Sequence, residues 1–171
     1  MKKNNLNSDI VSKGKAKNDH QINYHVCSSN ASNIGRCLSK DTMILMADGS
    51  LKKIDSIHIG DTILGEGGDT MSVSVVWTGY EDLLYKIQVN NATLSMSRNH
   101  PIQTCDGVVR AVDLKVGMKV CLVNEETGVI DAVEDIFYND VVYNLSLNGG
   151  YQLIVANGFI VGSMDLQNTL F

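Results

Sequence analysis

Cys37 stands where a polar N-terminal segment meets the first apolar run of the chain. The preceding residues 1–36 contain seven Asn and five Ser and only scattered apolar residues. A thiol is the best side-chain nucleophile near neutral pH wherever its surroundings favour the thiolate. Its sulfur is also next to the Arg36 carbonyl, and such an intramolecular attack has a very high effective concentration. Cys37 could therefore convert the Arg36–Cys37 amide into a thioester, which is an N-to-S acyl shift.

The other three cysteines indicate no further chemistry. Cys27, Cys105 and Cys121 form no Cys-x-x-Cys pair, and without a secretory signal we expect no disulfide framework. His25 and Cys27 have no second well-spaced pair of ligands, so we predict no metal site. We expect Cys105 and Cys121 at small positions of the core.

Charge and composition exclude several classes of function. The 171 residues are 44% hydrophobic, which is enough to bury the core of one domain. Residues 1–36 carry a net charge of +4 and the remainder −9, and so acidic a body is a poor nucleic-acid binder. No apolar run has the length of a membrane span or a signal peptide. We expect a cytoplasmic monomer with no membrane or nucleic-acid partner.

The chain divides into a flexible polar leader (1–36), an ordered domain (37–162) and a short tail (163–171). The leader has too few apolar residues to offset the entropy cost of ordering it. The ordered part has short apolar runs separated by turn signals such as Asp48-Gly49 and Asp106-Gly107, which is typical of an all-β fold. The predicted strands are Thr42–Met46, Ile57–Leu64, Met71–Thr78, Leu83–Val89, Val116–Val123, Val129–Ile136, Val141–Leu147 and Leu153–Val161.

The chain also matches itself at an offset of 58 residues. One residue is lost on the way, since Ile59-Gly60 matches Val116-Gly117. Two similar halves predict a β architecture with a pseudo-two-fold axis. The matched pairs are Asp48-Gly49 with Asp106-Gly107, Ile54-Asp55 with Val112-Asp113, Tyr80 with Tyr138, Tyr85 with Tyr143, Asn90 with Asn148, and Asn99 with Asn157.

Several motifs resemble those of the Hedgehog/intein (Hint) family. The opening, CLSKDTMILMADGS at 37–50, is followed by Ile54 and Ile59-Gly60-Asp61 as in that family. Ser97-Arg98-Asn99-His100-Pro101 is similar to its Thr-x-x-His box. Val142-Tyr143-Asn144-Leu145 and Ala156-Asn157-Gly158-Phe159-Ile160-Val161 resemble its closing motifs. The resemblance covers about 37–162 and is greatest to bacterial intein-like members.

This resemblance implies a fold and a set of catalytic residues. The family fold is an all-β horseshoe built from a duplicated unit, in agreement with the internal repeat. Cys37 would be the nucleophile, and His100 the general acid that protonates the leaving nitrogen. Ser97 would hydrogen-bond the scissile amide or the developing oxyanion. The reaction needs no metal and no organic cofactor.

The end of the chain departs from the family pattern. Splicing members end their last strand in His-Asn, and the Asn cyclises to break the C-terminal junction. Gly162-Ser163 stands there instead, and Asn144 and Tyr151-Gln152 replace the other downstream aids. Asn157-Gly158 is prone to succinimide formation, but a turn in the left-handed conformation explains it better. Asn168 lies beyond the closing strand and has no preceding His.

We therefore expect N-terminal autocleavage or acyl transfer rather than full splicing. The substrate is the domain's own N-terminal segment, ending at Arg36. Water or an external nucleophile would take the acyl group. Two alternatives stay open: a degenerate Hint fold kept as a non-catalytic scaffold, and an unrelated β-barrel that serves as a binding module.

Overall fold

The structure is a computed structural model that describes residues 24–26, 35–149 and 152–170. These residues form fourteen strands, four short 3₁₀ turns and one helix. The strands are β1 (Tyr24–Val26), β2 (Leu38–Ser39), β3 (Met43–Leu45), β4 (Leu51–Lys53), β5 (Thr62–Leu64), β6 (Thr70–Val89), β7 (Ala92–Met96), β8 (Pro101–Thr104), β9 (Gly107–Arg110), β10 (Lys119–Cys121), β11 (Thr127–Val129), β12 (Ala132–Asn148), β13 (Leu153–Ala156) and β14 (Phe159–Gly162). The 3₁₀ turns are Ile54–Ser56, Glu66–Gly68, Ala111–Asp113 and Val123–Glu125, and helix α1 is Met164–Leu170.

The strands form two sheets. The six-stranded sheet has the order β1-β6-β12-β2-β7, and β6 also pairs with β5 and β7. The eight-stranded sheet has the order β11-β10-β8-β14-β13-β3-β4, with β9 against β8. The predicted all-β fold is thus confirmed. Most of the leader, including Cys27, lies outside the described residues, and residues 24–26 within it pair in parallel with β6.

Two long strands form the spine of the six-stranded sheet. β6 has 20 residues and β12 has 17, and they pair antiparallel along most of their length. The sequence predicted two strands in each of these stretches, and that division was wrong. The interruption in β12 is a bulge between Phe137 and Asp140, where Asn139 has a φ of 47°. A bulge bends a strand without ending its pairing.

The internal repeat is visible in the backbone hydrogen bonds. Gly60 N–H donates to Val73 C=O at 2.9 Å, and Gly117 N–H donates to Ile130 C=O at 2.9 Å. Ala47 and Cys105 also make equivalent bonds, because their N–H groups donate at 3.0 Å to the carbonyls of Thr62 and Lys119 respectively. The two 3₁₀ turns at Ile54–Ser56 and Ala111–Asp113 are 57 residues apart, so Ile54-Asp55 corresponds to Ala111-Val112 and the predicted match with Val112-Asp113 was wrong by one residue. The residue is lost before these turns.

The apolar side chains of both sheets share one core, and Cys37 packs in a smaller cluster with Leu84 and Val142. Cys105 is exposed and Cys121 is partly buried, so the prediction of two core cysteines was wrong for Cys105. The residues buried in the main cluster include Leu38, Ile44, Ile54, Ile63, Val76, Ile87, Leu94, Met96, Ile102, Val120, Leu145, Ile154, Phe159 and Val161.

Three other observations concern exposure and helix length. His58 is exposed, whereas the preceding Ile57 is buried. Trp77 is partly buried in β6, and its Nε1–H donates to Ser146 Oγ at 2.9 Å, which agrees with a packing role. Among the described residues, no helix has the length and apolar character to cross a membrane.

The turn at Asn157 ties both sheets together. Asn157 has a φ of 49°, as predicted for a left-handed turn. Its Oδ1 accepts from Met43 N–H at 2.7 Å, and its Nδ2 donates to Thr93 C=O at 2.9 Å. These two bonds join the β13–β14 turn to β3 and β7. The side chain therefore stabilises the fold beyond the conformational freedom that the turn needs.

We expect Asn157→Ala to lower the free energy of unfolding by about 2–4 kcal/mol, because two partly buried bonds are lost and a left-handed φ is strained. Urea unfolding measures this. Asn139→Ala is the matched control, since Asn139 has a φ of 47° but is exposed. Equal losses in the two variants would contradict the role of the two side-chain bonds.

Candidate active site

Cys37 lies immediately before β2, between β7 and β12. Its side chain is buried, with 2% of its surface exposed. Its N–H donates to Ser97 Oγ at 3.1 Å, and its C=O accepts from Ser97 N–H at 2.8 Å. Ser97 is itself fully buried. The structure thus brings the predicted nucleophile and the predicted Ser97 together, with Ser97 on the nitrogen side of the Arg36–Cys37 bond.

The loop between β7 and β8 carries Ser97 and His100 and is held at both ends. Asn99 N–H donates to Gly35 C=O at 2.7 Å, and His100 N–H donates to Ser97 C=O at 3.0 Å. On the other side, His100 C=O accepts from Ala111 N–H at 2.9 Å. These backbone bonds fix the imidazole next to the segment that precedes Cys37.

Three side-chain nitrogens surround the carbonyl oxygen of Arg36. Asn144 Nδ2 lies 2.5 Å from this oxygen, Gln167 Nε2 lies 3.0 Å from it, and His100 Nδ1 lies 3.1 Å from it. Asn144 belongs to β12 and Gln167 to α1, and both are buried. His100 therefore lies against the oxygen of the Arg36–Cys37 amide, and Ser97 lies against its nitrogen.

Sequence reasoning missed Asn144 and Gln167 as site residues. Asn144 follows Tyr143 in a motif that resembles the family, but it was interpreted as the loss of a catalytic aid. Its carbonyl Oδ1 accepts from Leu145 N–H at 2.8 Å, which orients Nδ2 toward Arg36. The position in the motif was a signal that could have found it. Gln167 had no such signal, because it lies in the tail beyond the resemblance.

Burial sets the charge state of His100. The ring is fully buried, and this lowers its pKa to about 4, against a smaller opposing effect of the hydrogen bond with Arg36 C=O. The imidazole is therefore neutral at pH 7. Its Nδ1 is 3.1 Å from Gln167 Nε2, and its Nε2 has no partner among the described residues.

Glu81 in β6 adds a carboxyl group beside Ser97. Burial raises the pKa of Glu81, and a hydrogen bond with the Ser97 side chain opposes that shift. The Ser97 hydroxyl accepts from Cys37 N–H, so its own proton is available to this carboxylate. Glu81 thus provides an acceptor for the Ser97 hydroxyl beside the Arg36–Cys37 amide.

The end of the last strand has no room for a larger side chain. A Cβ at Gly162 would come within 2.6 Å of Pro101 Cγ and 2.9 Å of Leu166 Cδ2. Ser163, which follows, is buried, and its Oγ donates to Gln152 Oε1 at 2.7 Å. The place of the family's terminal His-Asn is therefore filled by the packing of β8 and α1.

The described residues contain no group of three or more His, Cys, Asp or Glu side chains that could hold a metal ion. The side chains of His25 and Cys27 are outside the described part, so the structure does not bear on the prediction made for them. What the site presents around the Arg36–Cys37 bond is a thiol, a neutral imidazole, a hydroxyl and two amides.

Comparison with known families identifies the domain. The profile of the family described as Hom_end-associated Hint matches residues 37–124. The chain belongs to this family. A curated relative, the catalytic subunit of the V-type proton ATPase of Candida tropicalis, is 39% identical over 57 residues, which are 33% of this chain and 5% of that protein. The chain thus matches only a small part of that relative's length.

Solved structures with this Hint fold include inteins and an intein-like domain. The gp41-1 intein is 22% identical with a TM-score of 0.67, covering 74% of this chain and 98% of that chain. A DnaB intein from Synechocystis sp. PCC 6803 is 22% identical with a TM-score of 0.68, covering 74% and 97%. The bacterial intein-like domain from Clostridium thermocellum is 21% identical with a TM-score of 0.65, covering 77% and 99%. These likenesses establish the fold.

The depressed pKa of His100 predicts a pH dependence of stability. The unfolded chain takes up a proton near pH 6.5, whereas the folded chain takes it up only near pH 4. Between these values the unfolded state binds more protons, so the free energy of unfolding should fall as pH falls from 6.5 to 4, by about 3 kcal/mol in total. Urea unfolding at several pH values measures this.

The control for this prediction is His100→Gln, which removes the titrating ring. Carboxyl groups also titrate in this range, so the difference between wild type and variant isolates the contribution of His100. A pH profile with the same slope in both proteins would show that the ring does not titrate with a lowered pKa.

Proposed function

We propose that this Hint domain acts on its own Arg36–Cys37 bond by an N-to-S acyl shift. The outcome is N-terminal autocleavage or acyl transfer rather than full splicing. The family and the fold are those of self-processing domains in general. The observation that carries the proposal is the Arg36 carbonyl oxygen, which has three side-chain nitrogens within 3.1 Å while Cys37 N–H is bonded to Ser97.

In the first step, Cys37 Sγ attacks the carbonyl carbon of Arg36. A carbon–sulfur bond forms, and the carbonyl oxygen becomes an oxyanion. The carbon–nitrogen bond then breaks, the carbonyl re-forms as a thioester, and Cys37 nitrogen leaves as an amine. The thiol proton ends on this nitrogen, so atoms and charge balance without a cofactor.

His100 carries the proton between sulfur and nitrogen. A neutral imidazole can accept the thiol proton as sulfur attacks, which an imidazolium cannot do. It then donates that proton to the leaving nitrogen and so acts as the general acid. The lowered pKa of His100, caused by burial, favours the form that starts this sequence.

Ser97 and Asn144 support opposite ends of the same amide. Ser97 Oγ, 3.1 Å from Cys37 nitrogen, holds the peptide group in place and accepts from the N–H that becomes the amine. Asn144 Nδ2, 2.5 Å from the oxygen, donates to the oxyanion as it develops. Donors fixed before the reaction stabilise such charge without the cost of reorganising.

The thioester is resolved by water or by an external nucleophile. Attack on the thioester carbon breaks the carbon–sulfur bond and restores the Cys37 thiol. The acyl product is the N-terminal segment, ending at Arg36, as the free acid or joined to the acceptor. In this proposal residues 1–36 are the leader, residues 37–162 are the Hint domain and residues 163–171 are the tail. Each chain carries out the reaction once, on its own N-terminal segment.

Splicing would need a second cleavage, and the last strand offers no group for it. The family's terminal Asn cyclises after a His, whereas Gly162 and Ser163 occupy those positions. The contacts of Gly162 with Pro101 and Leu166 leave no space for an imidazole there. The reaction therefore stops after the N-terminal step.

A strong thiol or hydroxylamine should release a fragment ending at Arg36 from the purified full-length chain. We expect Cys37→Ala to abolish the release, because no nucleophile remains. His100→Ala should slow it by ~10²–10⁴-fold, the usual effect of losing a proton-transfer group. Intact-mass measurement over time follows the released fragment and the remaining chain that begins at Cys37. Cys105→Ala, a cysteine exposed outside the site, is the matched control and should react like wild type.

If the wild-type chain stays intact for days with the thiol present, the domain is a non-catalytic scaffold instead. Release that persists in Cys37→Ala would mean that another group cleaves the bond. A ligated product that joins the leader to a C-terminal fragment would mean that splicing occurs by another route.

Restoring the family's terminal residues should not restore splicing. We expect Gly162→His with Ser163→Asn to yield no product ending at residue 163 and to lower the free energy of unfolding by about 1–3 kcal/mol, the usual cost of overpacking a core. Mass spectrometry and urea unfolding test the two parts. Ser163→Asn alone separates the effect of this buried hydroxyl from the clash at Gly162. C-terminal cleavage by the double variant would show that the site accommodates the imidazole.

A further inference from the structure

Helix α1 is fixed to the domain at its first turn. Ser163 Oγ accepts from Leu166 N–H at 3.3 Å, which caps the start of the helix. The Asp165 carboxylate accepts from Ser146 Oγ at 3.1 Å and from Leu147 N–H at 2.9 Å, both at the end of β12. Met164 is buried. Short as it is, the helix has a defined position against the site.

From this position α1 contacts both the backbone and the side chain of Arg36. Gln167 Nε2 lies 3.0 Å from Arg36 carbonyl oxygen, and the next residue, Asn168, accepts at Oδ1 from Arg36 Nη1–H at 2.8 Å. Gln167 is fully buried, whereas Asn168 is exposed. Two consecutive residues of the helix therefore meet the residue whose carbonyl would be attacked.

The burial of Gln167 is costly for a residue with only a structural role. Its Oε1 has no partner among the described residues, and a buried polar atom without a hydrogen-bond partner destabilises the fold. An apolar side chain of the same size would avoid this cost. The amide nitrogen, in contrast, donates to Arg36 oxygen, and it also lies 3.1 Å from His100 Nδ1, which accepts from it only in the tautomer that carries its proton on Nε2.

We infer that Gln167 is a catalytic residue that donates a hydrogen bond to the oxyanion, and that helix α1 therefore contributes to the N-terminal reaction. The inference rests on the proposed acyl shift. The ring of His100 takes and gives a proton during the step, so its charge changes while the oxyanion forms. The amides of Asn144 and Gln167 neither gain nor lose protons. They form a pair of constant donors on the oxygen, and the bonds strengthen as negative charge develops.

The role assigned to Gln167 changes no bond in the balance of the step. Sulfur bonds to the Arg36 carbon, nitrogen leaves with the thiol proton, and Gln167 keeps both of its own protons. Its effect is on rate alone, because it lowers the energy of the tetrahedral intermediate. Loss of one such donor usually slows a reaction by ~10²–10³-fold.

The test is Gln167→Leu in the full-length chain, which keeps the size of the side chain and removes the amide. We expect thiol-dependent release of the fragment ending at Arg36 to slow by ~10²-fold. Leu170→Ala, on the same helix but 46% exposed, is the matched control and should release at the wild-type rate. Urea unfolding of all three proteins verifies that they are folded under the assay conditions.

A second measurement detects the hydrogen bond from Gln167 to the Arg36 carbonyl oxygen without requiring the reaction. In the inert Cys37→Ala chain, the carbonyl carbon of ¹³C-labelled Arg36 reports hydrogen bonds to its oxygen. We expect Gln167→Leu to move this resonance upfield, since a polarising donor is lost, while Leu170→Ala leaves it in place. An unmoved resonance in the Gln167→Leu chain would contradict the contact on which the inference depends.

The outcomes separate the inference from the proposed function. If wild type releases the fragment and Gln167→Leu releases it equally fast, the acyl shift stands and the role of Gln167 is refuted. Faster release from Gln167→Leu would show that α1 blocks the site, which also overturns the inference. If wild type releases nothing, the proposed function fails, and Gln167 is then no catalytic residue even where its resonance shift is observed.

Discussion

The peptide bond between Arg36 and Cys37 is the point at which the elements around the site meet. Its N–H is bonded to Ser97 from the β7–β8 loop, and its oxygen faces Asn144 from β12 and Gln167 from α1. Buried peptide groups must find partners, so β7, β12 and α1 are positioned by the same bond that the chemistry would break. After an acyl shift the nitrogen is an amine on a free chain end. The bonds that hold the amide therefore stabilise the state before the shift.

The two halves of the internal repeat contain matching turns whose side chains make different contacts. Asn99-His100-Pro101 and Asn157-Gly158-Phe159 match at the repeat offset. In the first turn the His100 side chain reaches Arg36, and in the second Asn157 bonds Met43 and Thr93 across the sheets. Both uses need a turn that is fixed by its own backbone bonds. The repeat thus places a turn at both positions, although only Asn157 of the second turn, and not Asn99 of the first, has a left-handed φ.

Local patterns predicted the parts of the fold that local rules determine. Turn residues such as Asp48-Gly49 and the left-handed Asn157 follow from backbone preference, and so they were predicted correctly. Local patterns could not predict that β6 and β12 are each continuous, because only the pairing of these two strands with each other keeps them extended through the bulge. In the site, Cys37, Ser97 and His100 came from motifs. Asn144 stood in a motif but was interpreted as a loss, and Gln167 is brought to the site by α1, which no strand pattern indicates.

The polar atoms left unpaired lie where chemistry is expected and not elsewhere in the described core. Among the described side chains these are His100 Nε2 and Gln167 Oε1, on two residues that contact the same carbonyl oxygen. A sequence selected for stability alone would replace both with apolar residues. The desolvation that makes His100 costly to bury is also what lowers its pKa and keeps its ring neutral. The energetic cost to the fold and the neutral state of the ring thus have one physical cause, the removal of the imidazole from water.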